Sequence, residues 1–286
     1  MYKDDVLSSN WAELKWTEWE PLKNRKMVPN LPGIYRIRAK EVNHLFYIGQ
    51  TGDSLSKRLT ALSKQTYAIE MPFNDPHTAA PNLWVYLNEY GYEYECSVTT
   101  INTNKTERMG YEDYLLWRHR VATGVSTQCN YGRFHKGYTK SSLKNSGQRG
   151  LKLTDGIENP SGGSSMEPLL LLNNPMELNW MGLDWYTVVG TRTVPKELNH
   201  LPCVYKMIDK KLNDIVYLGQ TIDCRNRLNN HPVLKKIKLD LKQYEVQVAY
   251  FDSNILPFQL HEIESDLLGA YYHLTRKAPK YQYGGQ

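Results

Sequence analysis

The sequence predicts a chain of the α/β class, α+β in stricter usage, that contains two copies of one small module. A length of 286 residues suits two domains better than one. A set of short blocks recurs in the same order in both halves, and each half opens with β-prone segments that precede helical ones. Each module is therefore expected to hold a small three-stranded antiparallel sheet flanked by helices.

The recurring blocks keep their spacing between the two halves. Residues 32–35 (PGIY) and 47–51 (YIGQT) correspond to residues 202–205 (PCVY) and 217–221 (YLGQT), and both blocks are offset by 170 residues. Three further pairs of residues correspond, in the same order along the chain: Arg58 with Arg227, Glu112 with Glu264, and Asn130 with Gln282. Self-similarity at a fixed period predicts a duplicated architecture.

The duplication divides the chain into a first module over residues 1–136, a linker over residues 137–175 and a second module over residues 176–286. The interval between the repeated arginine and glutamate is longer in the first copy, which predicts an insertion at about residues 60–105. The linker is rich in Gly, Ser, Lys and Asn, which predicts flexibility. The insertion, which contains Trp84, and the linker are candidate regions for ligand recognition.

Each module is predicted to open with a β-hairpin and to gain a third strand later. The supporting pattern is a short run of β-prone residues with strand-like alternation. The strands are expected at residues 33–38, 45–49 and 94–101 in the first copy, and at residues 203–208, 215–219 and 244–251 in the second.

Helices are predicted after each hairpin and after each third strand. Asp53 or Ser54 can cap the first of these helices, whose leucines recur at helical spacing and leave Arg58 off the buried stripe. Asp223 can cap the matching helix before Arg227. Two longer helices, which carry the repeated glutamates, are expected over residues 106–121 and 257–274.

The composition is that of a globular chain with a mild basic excess. Net charge is +5, and 41% of the residues are hydrophobic, so local patches could meet a polyanion without a strong overall field. The four cysteines form no CxxC pair, so neither a zinc site nor a disulfide scaffold is predicted. The sequence shows neither the apolar core of a signal peptide nor a membrane span, and a soluble cytoplasmic protein is expected.

The order of the blocks resembles the GIY-YIG nuclease family. The first copy carries the signature literally at residues 33–35 and 47–49, and the second carries a degenerate form, CVY at residues 203–205 and YLG at residues 217–219. The resemblance covers most of the chain outside the linker. It implies nuclease modules that hydrolyse DNA with Mg²⁺ or Mn²⁺ as the cofactor.

The resemblance also implies a role for each repeated residue. Glu112 would bind the single divalent cation, and Arg58 would hold the scissile phosphate, whose charge must be stabilised during displacement. Tyr35 and Tyr47 would position and help deprotonate the attacking water, although a phenol with a pKa of about 10 needs help to act as a base. Asn130 would orient the helix and strand. The corresponding second-copy residues are Tyr205, Tyr217, Arg227, Glu264 as metal ligand, and Gln282.

The two copies depart from the family pattern in different ways. Four residues after the second-copy arginine stands His231, at a position where small restriction enzymes of the family carry a histidine that assists catalysis. The first copy has Leu62 there, so its site either lacks that group or takes one such as His77 from the insertion. In the second copy, Glu262 remains an alternative to the repeated glutamate as metal ligand.

These features predict a divalent-metal-dependent DNA endonuclease whose two modules cut the two strands of double-stranded DNA. It would act as a monomeric pseudodimer or as a homo-oligomer, in restriction or anti-phage defence inside a bacterial or phage-infected cell. A restriction role implies a cognate methyltransferase as partner. Three alternatives stay open, which are a single-site nickase, a mobile-element endonuclease and a non-catalytic DNA-binding protein.

Overall fold

A computed structural model describes residues 4–188, 200–236 and 243–284. The first half contains β1 (Glu20–Pro21), β2 (Gly33–Ala39), β3 (Leu45–Thr51), α1 (Leu55–Thr66), α2 (Ala80–Tyr90), β4 (Tyr94–Thr100) and α3 (Lys105–Thr123). The second half contains β5 (Tyr186–Val188), β6 (Cys203–Asp209), β7 (Asp214–Thr221), α4 (Cys224–Asn230), α5 (Pro232–Lys236), β8 (Tyr244–Tyr250) and α6 (Pro257–Thr275). The two antiparallel sheets have the orders β1-β4-β2-β3 and β5-β8-β6-β7. The predicted α/β class and the duplicated topology are confirmed.

Each sheet has four strands, and the prediction of three was wrong. The additional strands are the short edge strands β1 and β5, which pair with β4 and β8. They contain two and three residues, too few to show the alternation by which a strand is recognised in a sequence. Their pairing depends on the chain segment before them, which is held in place by buried tryptophans.

A tryptophan pair anchors the start of each module. Trp11 and Trp16 are buried and stacked, and the Trp16 indole donates to the Trp11 carbonyl at 3.0 Å. The guanidinium of Arg36 lies 4.3 Å from the Trp16 ring, as expected for a cation–π contact. In the second module, Lys206 makes the same contact with the stacked pair Trp180 and Trp185. The indoles therefore anchor the fold and cannot stack on bases.

Apolar side chains cover both faces of each sheet. In the first module the leucines of α1 pack on one face, and α3 packs on the other. The face covered by α3 belongs to an apolar core that continues into the second module, where Val204 and Leu218 of the sheet meet Ile263 of α6. The two modules therefore share one core. None of the described helices combines the length and apolar character needed to cross a membrane.

The glutamate-bearing helices α3 and α6 pack against each other in antiparallel orientation. Near the start of α3, Glu107 accepts a hydrogen bond from Tyr272 at 3.2 Å. Near its end, the Nε of Arg120 donates to Asp266 at 2.8 Å. Between them, a Cβ on Gly269 would lie 2.6 Å from backbone and side-chain atoms of α3, so only glycine permits this approach. The modules are thus related by an approximate two-fold axis across the helix pair.

The predicted linker, residues 137–175, contains little regular secondary structure and hydrogen-bonds to both modules. The Trp117 indole of α3 donates to the Leu169 carbonyl at 2.8 Å, and the Met166 amide donates to Glu262 of α6 at 2.8 Å. Near its start, Tyr138 packs in a small core with Met71 of the insertion. The insertion also supplies α2, which packs on α1.

Replacing Arg120 with alanine should destabilise the chain by about 3–5 kcal/mol, because the buried Asp266 would lose its cation and the buried Glu262 would keep only Arg133. Urea unfolding of the full chain measures the change. Lys152→Ala is the control, since Lys152 pairs with Glu89 at the surface and should contribute less than about 1 kcal/mol. A loss for Arg120→Ala no larger than that of the control would contradict the interface described here.

Candidate functional site

The paired tyrosines of the first module lie over a glycine. Tyr35 on β2 is opposite Gly49 on β3, and Tyr47 precedes that glycine by two residues, so all three face the same side of the sheet. The ring centroids of Tyr35 and Tyr47 are 5.9 Å apart. A Cβ on Gly49 would lie 2.7 Å from both rings. The glycine is therefore required for the phenols to converge.

The second module repeats this arrangement. Tyr205 is opposite Gly219, and the rings of Tyr205 and Tyr217 stack with centroids 6.0 Å apart. A Cβ on Gly219 would lie 2.5 Å from the Tyr205 hydroxyl. The degenerate signature thus keeps the residues that form the phenol pair.

An arginine reaches the phenols from the helix after each hairpin. Ser54 caps helix α1, and its hydroxyl accepts a hydrogen bond from the Lys57 amide at 3.1 Å. The helix carries Arg58 outside its apolar face. The Nε of Arg58 donates to the Tyr35 hydroxyl at 3.4 Å, and Nη1 donates to the Pro76 carbonyl at 3.3 Å. Arg58 is therefore held beside the phenols, and its Nη2 makes no hydrogen bond to any residue in the described ranges.

The second arginine makes a shorter contact of the same kind. Asp223 caps α4 by accepting from the Asn226 amide at 3.0 Å. The Nε of Arg227 then donates to the Tyr205 hydroxyl at 2.9 Å. The arginine-to-phenol hydrogen bond is thus present in both modules.

Glu112 adds a carboxylate to the first set. It is half-buried on α3 and makes no hydrogen bond or ion pair with any residue in the described ranges. Burial raises its pKa to about 8, Asp113 adds to the rise, and Arg58 opposes it. Burial also raises the pKa of Tyr35 and Tyr47, and the nearby Glu112 charge contributes to both increases. Glu112 is thus electrostatically coupled to the phenols and the arginine.

In the second set the carboxylate beside the cavity is that of Glu264. Glu262, the alternative metal ligand, lies elsewhere. Glu264 lies 3.4 Å from the Nδ1 of His261 and lines the second-site cavity. Glu262 is fully buried at the module interface, where it accepts from Arg133 at 3.1 Å and from the Met166 amide. Its oxygens are therefore engaged in structural contacts, which excludes it as the alternative ligand.

A cavity lies beside each of the two sites. A cavity of about 570 Å³ in the second module is lined by Tyr217, Arg227, His231, Glu264 and Gln282. In the first module, Tyr47 and Asn130 line a cavity of about 250 Å³. The described lining of that cavity does not include Tyr35, Arg58 or Glu112.

The second site also contains a carboxylate from the first module, which sequence reasoning missed. Asp113 lines its cavity, accepts from the Ser265 hydroxyl at 2.7 Å and is hydrogen-bonded by the Tyr283 hydroxyl. Asp113 follows Glu112 directly, but the matching residue of the second copy is Ser265. Because the copies differ there, the repeat gave no indication of this residue.

Asn130 and Gln282 support the edge strands that carry the second tyrosines. The Asn130 side chain donates to the Ile48 carbonyl at 2.8 Å and accepts from the Ile48 amide at 3.0 Å. It thereby satisfies backbone groups of the edge strand β3 between Tyr47 and Gly49. Gln282 accepts from the Leu218 amide at 3.1 Å in the same position on β7.

The first glycine of the signature is absent from the second copy, where the neighbouring helix residue is also smaller. A Cβ on Gly33 would lie 2.9 Å from the Leu55 side chain and closer still to a Thr99 carbonyl. The second copy has Cys203 and Cys224 at the positions of Gly33 and Leu55, and both are fully buried at the same place. The smaller helix residue removes the contact with Leu55, but the nearer contact is with a backbone carbonyl, so the strands of the second copy must also be spaced to admit the Cys203 side chain. The strand register is unchanged.

A buried histidine accompanies each arginine. His231 contacts the Tyr217 ring with centroids 4.8 Å apart, and its Nδ1 accepts from the Val233 amide. His77 comes from the insertion, next to the Pro76 carbonyl that Arg58 contacts. Within the described ranges, the Nε2 atoms of both histidines are buried and have no hydrogen-bond partner. Burial and the adjacent arginine lower the pKa of each to about 4.

The low pKa of His231 predicts a stability change in acid. An unfolded histidine has a pKa of about 6.5, so between pH 6.5 and 4 the unfolded chain binds a proton that folded His231 does not. Stability therefore falls as pH falls through this window, by up to roughly 1.4 kcal/mol per unit. The free energy of unfolding is measured in urea at pH 6.5 and 4.5 for the wild type and for His231→Gln. Between these two pH values the wild type should lose more stability than the variant. An unchanged difference would contradict the assignment, and His200→Gln, which alters an exposed side chain, is the control.

The donor set at each site fits a small oxygen-preferring cation that takes most of its ligands from substrate and water. In the described part of the chain, no group of three or more His, Cys, Asp or Glu side chains is arranged to hold a metal. Mg²⁺ is commonly bound by one or two carboxylates together with phosphate oxygens and water. The half-buried Glu112 carboxylate, which has no hydrogen-bond or ion-pair partner among the described residues, suits that mode of binding.

Comparisons with protein-family models, with curated proteins and with solved structures find no match to this chain. The functional assignment therefore depends on the geometry of the two sites and on the sequence motifs that form them.

Proposed function

We propose that the chain is a divalent-metal-dependent endonuclease that hydrolyses phosphodiester bonds in double-stranded DNA, with one module acting on each strand. The observation that carries this proposal is the repetition of one set of groups in both modules. In each, two phenols lie over a glycine, an arginine donates to the first phenol, and a glutamate lies nearby. The resemblance to GIY-YIG nucleases supports the same proposed function.

The residues of the first set would divide the work on one phosphate. Arg58 would bind the scissile phosphate with the part of its fork that Tyr35 and Pro76 leave unused. The phenols are protonated at neutral pH, because burial raises their pKa, so they would orient the attacking water and pass protons. A divalent cation held by Glu112 would supply positive charge to the phosphate and the leaving oxygen.

The packing of the two modules supports cleavage of both strands by one molecule. Because α3 and α6 are in direct contact, the sites are held in a fixed relation as in a dimer, without dependence on a tether. We propose restriction or anti-phage defence in the cytoplasm as the context, with a cognate methyltransferase as the partner that protects host DNA. A homo-oligomer would add further sites of the same kind.

Incubation of supercoiled plasmid with the full chain tests the proposal. With Mg²⁺ or Mn²⁺ we expect linear product, and with EDTA we expect none. Nicked circles alone would favour the single-site alternatives, a nickase or a mobile-element endonuclease. Binding of the plasmid without any cleavage, across phage and methylated or unmethylated plasmid DNA, would favour the non-catalytic alternative.

Replacing Gly49 or Gly219 with alanine should lower cleavage of one strand at least about tenfold, because the new methyl group displaces the phenols. The rate of each strand's cleavage is measured on an end-labelled duplex. Thermal unfolding and DNA binding without metal serve as controls for folding and affinity. Alanine variants that cut both strands at the wild-type rate would show that the phenol positions do not matter.

A further inference from the structure

Three neighbouring cavities, each of which shares lining residues with the next, lie between Tyr47 of the first site and Glu264 of the second. The first-site cavity shares Tyr131, Gly132 and Lys140 with a middle cavity of about 390 Å³. The middle cavity in turn shares Tyr131 and His261 with the second-site cavity. We call this path, which passes through the middle cavity from Tyr47 to Glu264, the central groove.

The lining of the middle cavity combines one lysine with uncharged polar and apolar residues. Its described lining consists of Tyr131, Gly132, Lys140, Ser161, Pro257, Phe258 and His261, among which there is no acidic residue. Lys140 and Ser161 come from the segment between the modules, and His261 comes from α6. The groove is thus built from both modules and the linker together.

Lys140 is the cation at the middle of the groove. Its amine donates to the Gly132 carbonyl and has no carboxylate partner among the described residues. Two other lysines of this segment form ion pairs, Lys136 with Glu158 and Lys152 with Glu89, and neither is among the described lining of the middle cavity. Partial burial lowers the pKa of Lys140, a change that a bound phosphate would reverse. Lys140 is therefore a charge held in the groove without its counter-ion.

We propose that the central groove binds the DNA backbone between the two sites and that Lys140 contacts a phosphate there. This inference rests on the proposed endonuclease function and adds a binding residue outside both catalytic sets. One DNA molecule then remains attached while the two modules act in turn. The linker segment becomes part of the DNA-binding surface through Lys140 and Ser161.

Fluorescence anisotropy with a labelled duplex of about three helical turns, without divalent metal, tests the inference on the full chain. Lys140→Gln should reduce the slope of log K against log salt by about 1 and weaken binding about fivefold at 0.15 M salt, because one phosphate contact releases about 0.9 counterion. Lys140→Arg keeps the charge and should keep the slope. Lys136→Gln, a charge loss four residues away at the paired surface position, should change the slope much less.

Plasmid cleavage supplies the second measurement. If Lys140 retains DNA between the two cuts, Lys140→Gln should accumulate a larger fraction of nicked circles than the wild type. An unaltered salt slope with unaltered product ratios would overturn the inference, although the endonuclease proposal would stand as long as the wild type linearises plasmid. A wild type that neither binds nor cuts DNA would instead overturn the endonuclease proposal itself.

Discussion

Replacing Glu112 with glutamine is expected to turn an enzyme that linearises plasmid into one that nicks it. The substitution keeps the shape of the side chain but removes the charge that would hold the cation. A cation of this kind supplies several kcal/mol of transition-state stabilisation, so we expect cleavage of one strand to fall about a thousandfold. Glu264→Gln should have the same effect on the opposite strand, and the double variant should cut neither.

The measurement is the ratio of nicked to linear plasmid over time, followed by sequencing of the ends. Glu158→Gln is the matched control, because Glu158 is an exposed carboxylate paired with Lys136. Linear product at the wild-type rate from both single variants would contradict the assigned roles. If one variant loses all cleavage and the other keeps the wild-type activity, the nuclease has one working module.

Replacing Arg58 with lysine should lower cleavage of one strand about a hundredfold although the positive charge is kept. Lysine cannot donate to the Tyr35 hydroxyl and to a phosphate at once from a fixed planar fork. A charge-assisted hydrogen bond contributes about 1.5–3 kcal/mol, which corresponds to roughly ten- to more than hundredfold in rate. Arg227→Lys should act in the same way on the other strand, because Arg227 makes the corresponding contact to Tyr205.

Single-turnover cleavage of an end-labelled duplex measures the rate on each strand. Lys57→Gln is the control for the first arginine, because Lys57 is its neighbour on α1 but is exposed and paired with Asp53. Equal rates for Arg58→Lys and the wild type would mean that a point charge suffices at this position and that the fork has no role.

The parts of the fold that depend on local sequence could be predicted. The hairpins, the helix caps at Ser54 and Asp223, and the helices that carry the glutamates all arise from short-range patterns. The convergence of Tyr35 and Tyr47 could be expected as well, because strand register places both residues on the face above Gly49. Duplication strengthened each of these predictions, since an independent copy repeats the spacing.

Features that depend on contacts between distant segments could not be predicted. The edge strands β1 and β5 are too short to recognise without their partners. The antiparallel packing of α3 on α6 decides that Glu262 is enclosed and that Asp113 enters the second site, and no local pattern carries that information. The position of Lys140 likewise depends on a segment that was predicted to be a flexible linker and a candidate recognition region, without indication of which residue would line a cavity.

Anomalous diffraction from crystals of the full chain grown with duplex DNA and Mn²⁺ tests the central claim most directly, because it locates the cation and the phosphate in one measurement. We expect one manganese peak in each module, bound to Glu112 or Glu264, with a DNA phosphate between that peak and the adjacent arginine and tyrosine pair. Manganese bound elsewhere, or phosphates remote from both tyrosine pairs, would contradict the account.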